Sequence, residues 1–237
     1  MNTRNKACTN CKNASCLLLK HSEKPAMTVF IDQKSNFICK AGQQFILEGT
    51  PVNGLYFIYE GSVKVYKQTL NDKVQIIRFS KNGEIVGHRG FGTTFVYDIS
   101  SSSLTDTELC YFNTQTIIDM LHANPALMYD FMLFYADQLQ KSEANVKKFQ
   151  QMSVRDKVVN GLLFICRKFG QTDGYINIVL TRKDIADFAG TAQEQVIRVI
   201  SELKKEGLII AQGKQIGIPD LQKIESKLTE SGSFLEG

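Results

Sequence analysis

Three cysteines open the chain as Cys8-x2-Cys11-x4-Cys16. Thiolates this close can hold a metal ion or an iron–sulfur cluster, or act as a redox switch. The plainer alternative is a tail with reduced thiols. A fourth ligand must come from elsewhere, and Cys39, Cys110 and Cys166 are the other three cysteines. The chain shows no secretory signal, so a disulfide framework is not expected. Near the other end, Gln193, Glu194 and Arg198 have the chemistry of base readout. Arginine pairs bidentately with guanine, and glutamate accepts from the cytosine amino group. Glu194 and Arg198 are four apart and would share a helix face. On an arbitrary helix they would read as a surface ion pair; here their setting favours groove readout. Glu84, His88 and Arg89 form a third candidate group, an effector pocket in which His88 and Arg89 could serve an anionic ligand, with a solvated loop as the default. Enzymatic chemistry finds no support. His21, His88 and His122 lie far apart, and no Gly-x-Ser-x-Gly or phosphate-loop pattern occurs.

These side chains need elements to position them. Thr181 can cap a short helix, with Asp184 in capping-box spacing and Ile185, Ala186 and Ala189 on its buried side. Gly190 permits a left-handed turn. Thr191 would cap a second helix with Glu194 at the box position, and Val196, Val199, Ile200 and Leu203 recur at helical spacing. Gly207 ends it. Two capped helices about a glycine turn read as a helix-turn-helix, whose second helix enters the major groove. Leu208–Ala211 and Gln215–Ile218 flank Gln212-Gly213-Lys214 as a hairpin wing, with Lys214 at its tip in reach of phosphate. The DNA-facing set is therefore Thr181, Arg182, Thr191, Gln193, Glu194, Arg198 and Lys214.

Residues 25–122 alternate short apolar runs with turn signals. Strands are expected at Asn36–Cys39, Gln44–Leu47, Leu55–Tyr59, Val63–Gln68, Gln75–Phe79, Glu84–Val86, Thr93–Ile99 and Glu108–Phe112, with a hairpin loop at Thr69–Lys73. Many short, evenly spaced strands predict a sandwich or jelly roll. From Asn124-Pro125 the pattern turns helical to about Met152. Met128, Met132, Tyr135, Leu139, Ser142, Val146 and Phe149 alternate four and three apart, a heptad seam that predicts a paired helix and a homodimer. Phe131, Leu133 and Phe134 form a second apolar face expected against the roll. Another helix covers 153–170, with Cys166 buried, and Tyr175–Leu180 alternates as a strand. The tail from about Lys227 reads as frayed.

The chain is thus α+β. Residues 1–24 are a cysteine-containing arm and 25–122 a jelly-roll sensor domain. Residues 123–152 form a dimerisation helix and 153–237 a winged helix-turn-helix. The net charge is +4 over 237 residues. The arm holds five basic side chains (Arg4, Lys6, Lys12, Lys20 and Lys24) against Glu23, and the remainder balances at 23 basic and 23 acidic residues. The motif, not bulk charge, makes the argument for DNA. No apolar run approaches the roughly 18 residues a membrane span needs. The expected location is the cytoplasm, with no membrane partner.

A roll, a long helix and a winged helix-turn-helix in this order resemble the CRP/FNR family of bacterial transcription regulators. The likeness rests on Ala41-Gly42-Gln-Gln-Phe45, on Leu55 to Lys64, on Gly83-Glu84-Ile-Val-Gly87 and on Thr181-Arg-Lys-Asp184-Ile185-Ala186. It implies that Glu194 and Arg198 read a G·C pair in each of two half-sites on double-stranded DNA. It also implies RNA polymerase as a partner if the protein activates. In the family's cyclic-AMP binders an Arg pairs with the cyclic phosphate. Here His88 replaces an acidic residue, and Tyr97–Leu104 has no Arg, so cyclic AMP is not expected. The FNR-like branch holds a [4Fe-4S] cluster on three arm cysteines and one in the roll, which Cys8, Cys11, Cys16 and Cys110 resemble. The gap from Cys11 to Cys16 is one residue shorter than the usual pattern. The resemblance implies a homodimer gated by redox state or oxygen. The alternative is a regulator with no cluster, gated by a small ligand in the roll.

Overall fold

The computed structural model describes residues 8–22, 24–69 and 73–228. The expectations for Arg4, Lys6 and Glu23, for the tip of the Thr69–Lys73 loop and for the tail beyond Leu228 lie outside these residues. The chain forms two compact units divided after Ala136.

Among the described residues the first unit holds eight strands. They are β1 (Ser35–Cys39), β2 (Gln44–Ile46), β3 (Gly54–Glu60), β4 (Ser62–Gln68), β5 (Val74–Lys81), β6 (Ile85–Val86), β7 (Ser100–Ser103) and β8 (Thr107–Asn113). They make two antiparallel four-stranded sheets, ordered β1-β8-β3-β6 and β2-β7-β4-β5. Neighbours in space that are distant in sequence are the mark of a roll. The period-two pattern explains the layering. In β4, Val63 and Val65 are buried and Lys64 points outward. In β3 both faces are buried, so it reads as a continuous apolar run. Tyr56 and Ile58 enter the space between the sheets with Ile46, Val63 and Leu109. Leu55 and Phe57 face the other way, onto Leu18, Met27, Phe112 and Phe131. Each fully buried aliphatic or aromatic side chain contributes about 1.5–3 kcal/mol over leaving it exposed.

Helices cover that second face: α1 (Pro25–Ile31), α2 (Thr114–Ala123) and the start of α3 (Pro125–Gln151). The periodicity reading found neither α1 nor α2, both folded into its roll segment. Asn113 caps α2 through its side chain, which accepts from the Thr116 amide at 2.9 Å. One expected strand is corrected. Thr93–Ile99 is largely a loop with a single bridge, Val96 to Pro51, and Phe95 sits at φ 47°. The strand falls next door at Ser100–Ser103. Tyr97 and Ile99 supplied the apolar signal because they plug the core from the loop. Four serines carry no such signal, yet all four are buried.

The second unit begins within α3 and continues with α4 (Val154–Phe169), the short pair β9 (Gln171–Thr172) and β10 (Tyr175–Ile176), α5 (Arg182–Ala189), α6 (Gln193–Lys205), the hairpin β11 (Ile210–Gln212) with β12 (Gln215–Gly217), and α7 (Leu221–Glu225). The strand expected over Tyr175–Leu180 shortens to two residues; Ile178 and Leu180 are buried without pairing in a sheet. Cys166 is buried in α4, as expected of a small apolar side chain. Ser153 caps α4, accepting from the Asp156 amide at 3.1 Å.

Candidate functional site

The cysteine site lies in the first unit. Residues 8–22 run as tight turns, with Cys11 N–H donating to Cys8 O and Cys16 N–H to Asn13 O. Asn13 Nδ2 pins the arm to the Tyr59 carbonyl at 2.8 Å. Ser15 packs where a side chain on Gly83 would stand, so that glycine admits the arm as well as turning the chain at φ 84°. Leu18 then anchors the arm in the core. Cys8, Cys11 and Cys16 from the arm and Cys110 from β8 line one cavity, with Phe57 and Lys34 beside them. Cys39 and Cys166 are elsewhere, Cys39 among the side chains between the sheets.

Burial governs the chemistry of two of these thiols, Cys16 and Cys110. It pushes Cys16 up to about 11, helped by Cys11 and Cys8 and opposed by backbone hydrogen bonds at Leu18 and Leu19. It pushes Cys110 up to about 12, opposed by the Lys34 charge and reinforced by Cys8, Cys16 and Cys11. Cys16 and Cys110 both feel thiols of the arm, and negative charge gathered there needs a cationic partner. One ion gripped by several thiolates brings sulfurs to within about 4 Å of each other. Among the described residues no three His, Cys, Asp or Glu side chains are gathered closely enough to hold a metal ion. A [4Fe-4S] cluster would take four thiolates, and Cys8, Cys11, Cys16 and Cys110 are the residues that would hold it.

The arm also reaches α3. His21 Nε2 lies 2.9 Å and Lys20 Nζ 3.2 Å from Asp130 Oδ2. Those contacts hold the Asp130 carboxyl below its ordinary range. On α3, Met128, Met132, Leu139, Ser142 and Val146 are exposed. Tyr135 is half-buried, its hydroxyl donating to His88 O at 2.6 Å, and Phe149 is half-buried with Lys157 over its ring. Phe131 and Phe134 pack on the roll as expected, whereas Leu133 remains exposed.

The loop expected around His88 is not solvated. His88 is 2% exposed and packs edge-on against Phe134 and Tyr135. Burial, with Arg78 and Arg89 nearby, lowers its imidazole far below the ordinary range, so it is neutral. Glu84 and Arg89 are half-buried. Arg78, which the sequence reading passed over, donates to Ile85 O at 2.6 Å.

In the second unit the helix-turn-helix is built much as its residues predict. Thr181 caps α5: its hydroxyl accepts from the Asp184 amide at 3.0 Å, and Asp184 accepts from the Thr181 amide at 3.0 Å. Gly190 sits at φ 61°, the left-handed turn. Val196, Val199, Ile200 and Leu203 are the buried stripe of α6. One boundary is corrected: Ala192, not Thr191, is the N-cap of α6, without a side-chain cap. Thr191 instead donates its amide to Ala186 O, closing the turn.

Gln193, Glu194, Ile197 and Arg198 are exposed on α6. Arg198 leans to Glu202, at 3.8 Å, rather than to Glu194. Glu202 also meets Arg155 of α4 at 3.3 Å. Such exposed pairs contribute little and yield readily to a stronger partner. Ile197, between the two polar readers, escaped the sequence reading; its signal was an apolar residue outside the buried stripe. Lys214 is exposed at the wing tip. Arg182 is partly committed, donating to Gly213 O at 3.0 Å.

Comparisons with known proteins agree with this division. The cyclic nucleotide-binding domain family matches residues 38–124, and the Crp-like helix-turn-helix domain family matches residues 156–226. The anaerobic regulatory protein of Bacillus subtilis is 30% identical over 166 residues, which span 68% of this chain and 70% of that protein. The transcriptional activator protein anr of Pseudomonas aeruginosa is 23% identical over 184 residues, 76% of this chain and 75% of that one. In fold, the chain is similar to FixK2 from Bradyrhizobium japonicum, with a TM-score of 0.74 and 19% identity over 83% of this chain and 98% of that one.

Proposed function

Because the chain belongs to the CRP/FNR family of DNA-binding transcription regulators, we propose that it binds twofold operators as a homodimer under the control of an iron–sulfur cluster held by Cys8, Cys11, Cys16 and Cys110. The observation that carries the proposal is the meeting of three arm thiols and one β8 thiol around one cavity. When bound, a [4Fe-4S] cluster supplies a redox centre that oxygen can dismantle.

The chain's own residues supply the rest. Cys16 and Cys110 are half-buried and protonated without metal, so ligation must release their protons. Ligation to Cys110 ties residues 8–22 to β8, and Lys20 and His21 of the same segment engage Asp130 on α3. Asp130 lies between Met128 and Met132 of the exposed seam. The arm therefore bears on the helix where a second copy would pair. Pairing along α3 would set two α6 helices about one DNA turn apart. Glu194 and Arg198 would read a G·C pair, Ile197 offers an apolar contact for a thymine methyl, and Lys214 would meet phosphate.

A second reading, a small ligand inside the roll, has its own support. Ser80 and Ser101 are buried with hydroxyls lacking any hydrogen-bond partner, and Ser103, also buried, meets the Cys39 thiol. Ser80 and Ser103 flank Val63 and Ser101 flanks Val65, so all three face the roll interior. Cyclic AMP is not the proposed ligand, since no Arg stands on β7 to meet its phosphate. Anaerobic purification with iron and visible-absorption assays separates the two readings. A coloured, iron-bearing protein supports the cluster; an iron-free protein that still binds operator supports the roll ligand.

A further inference from the structure

Two residues of the β1 segment point at the same sulfurs. Lys34, just before β1, and Asn36, within it, are two apart and leave the strand on one face. Both are buried, at 6% and 7% exposure. Lys34 Nζ lies 3.6 Å from Cys8 Sγ. Asn36 stands directly across from Cys110 in the β1–β8 register, and its Nδ2 lies 3.9 Å from Cys110 Sγ. The same amide group also reaches Glu108 Oε1 at 3.5 Å.

An ammonium and an amide N–H can only donate. A thiolate accepts far better than a thiol, because charge-assisted hydrogen bonds are the strong ones. Burying a lysine is costly unless it meets negative charge. One strand face thus brings a fixed cation and a donor to two different sulfurs, one on the arm and one on the roll. We propose that Lys34 and Asn36 are positioning residues that stabilise thiolate charge on Cys8 and Cys110 and thereby raise the reduction potential of the group those sulfurs hold. The inference rests on the cluster reading above. Hydrogen bonds to sulfur and local charge are the levers by which a protein sets such a potential. The reduced state carries one more negative charge, so a nearby ammonium favours it.

The test compares full-length wild type with Lys34→Met, Lys34→Arg and Asn36→Leu, each purified without oxygen and supplied with iron and sulfide. The midpoint potential of the one-electron couple is followed by visible absorption. Lys34→Met is expected to keep its iron but to shift the oxidised-to-reduced ratio about tenfold toward oxidised at fixed potential, about 59 mV for one electron. Asn36→Leu should shift the same way by less, and Lys34→Arg should stay near wild type. Wild-type potentials in both Lys34→Met and Asn36→Leu, with iron retained, overturn the proposal and leave the cluster reading standing. If Lys34→Met holds no iron, the decision falls to Asn36→Leu: a lowered potential supports the proposal and an unshifted one overturns it. A wild-type chain that takes up no iron overturns the cluster reading and this inference with it.

Discussion

Arg198 carries the base-reading proposal, and its side chain is exposed with only a loose contact to Glu202. Replacing it with Ala should cost about 1–3 kcal/mol of discrimination at one G·C position in each half-site. Binding to duplexes selected from a random pool, then altered one pair at a time, measures this; unchanged preference would count against the role. Thr181 makes a stability claim instead. Its hydroxyl is half of a capping box, so Thr181→Ala should destabilise the second unit by about 1 kcal/mol in denaturant unfolding. Thr181, Asp184 and Gly190 were legible because capping and left-handed turns are local chemistry. Thr191 was misplaced by one residue: helix ends depend on backbone geometry that neighbouring Ala192 satisfies equally well. Lys34 was not legible at all, since nothing local in the sequence shows that β1 lies beside the arm.

Among elements, α3 concentrates the consequences. Its exposed Met128, Met132, Leu139 and Val146 repeat at heptad spacing, an apolar stripe on a single chain. A glutamate at both Leu139 and Val146 should shift the chain from dimer to monomer in analytical ultracentrifugation and abolish tight operator binding, leaving helicity intact. The contact between arm and helix is electrostatic. Hydrogen bonds from His21 and Lys20 depress the Asp130 carboxyl. A depressed carboxyl stabilises the fold above its unfolded value, near 4, and loses that contribution only as pH falls through its lowered value. The link therefore survives at neutral pH. Asp130→Asn should leave the fold intact while weakening the dependence of dimerisation on the state of the cysteines. The exposed apolar stripe of Met128, Met132, Leu139 and Val146 was legible because its period is regular over three heptads, whereas Tyr135 and Phe149 are half-buried within the chain itself. β7 was not, because four serines are buried by their neighbours rather than by their own hydrophobicity.

At the scale of the whole molecule, the order of parts was legible: arm, roll, long helix, winged helix-turn-helix. That order follows from changes of period along the chain, from two to 3.6 residues. The meeting of Cys110 with Cys8, Cys11 and Cys16 had only a resemblance behind it, because it depends on Asn13, Ser15 and Leu18 seating the arm on the roll. A Cys110→Ser protein should fold, as its core neighbours are unchanged, yet hold little iron. The most direct test follows iron, labile sulfide and operator binding in one anaerobic wild-type preparation before and after exposure to air. The account predicts about four irons per chain, a visible absorption band, and parallel loss of iron and of operator affinity in air. A colourless, iron-free protein that binds operator equally well with and without oxygen would contradict it.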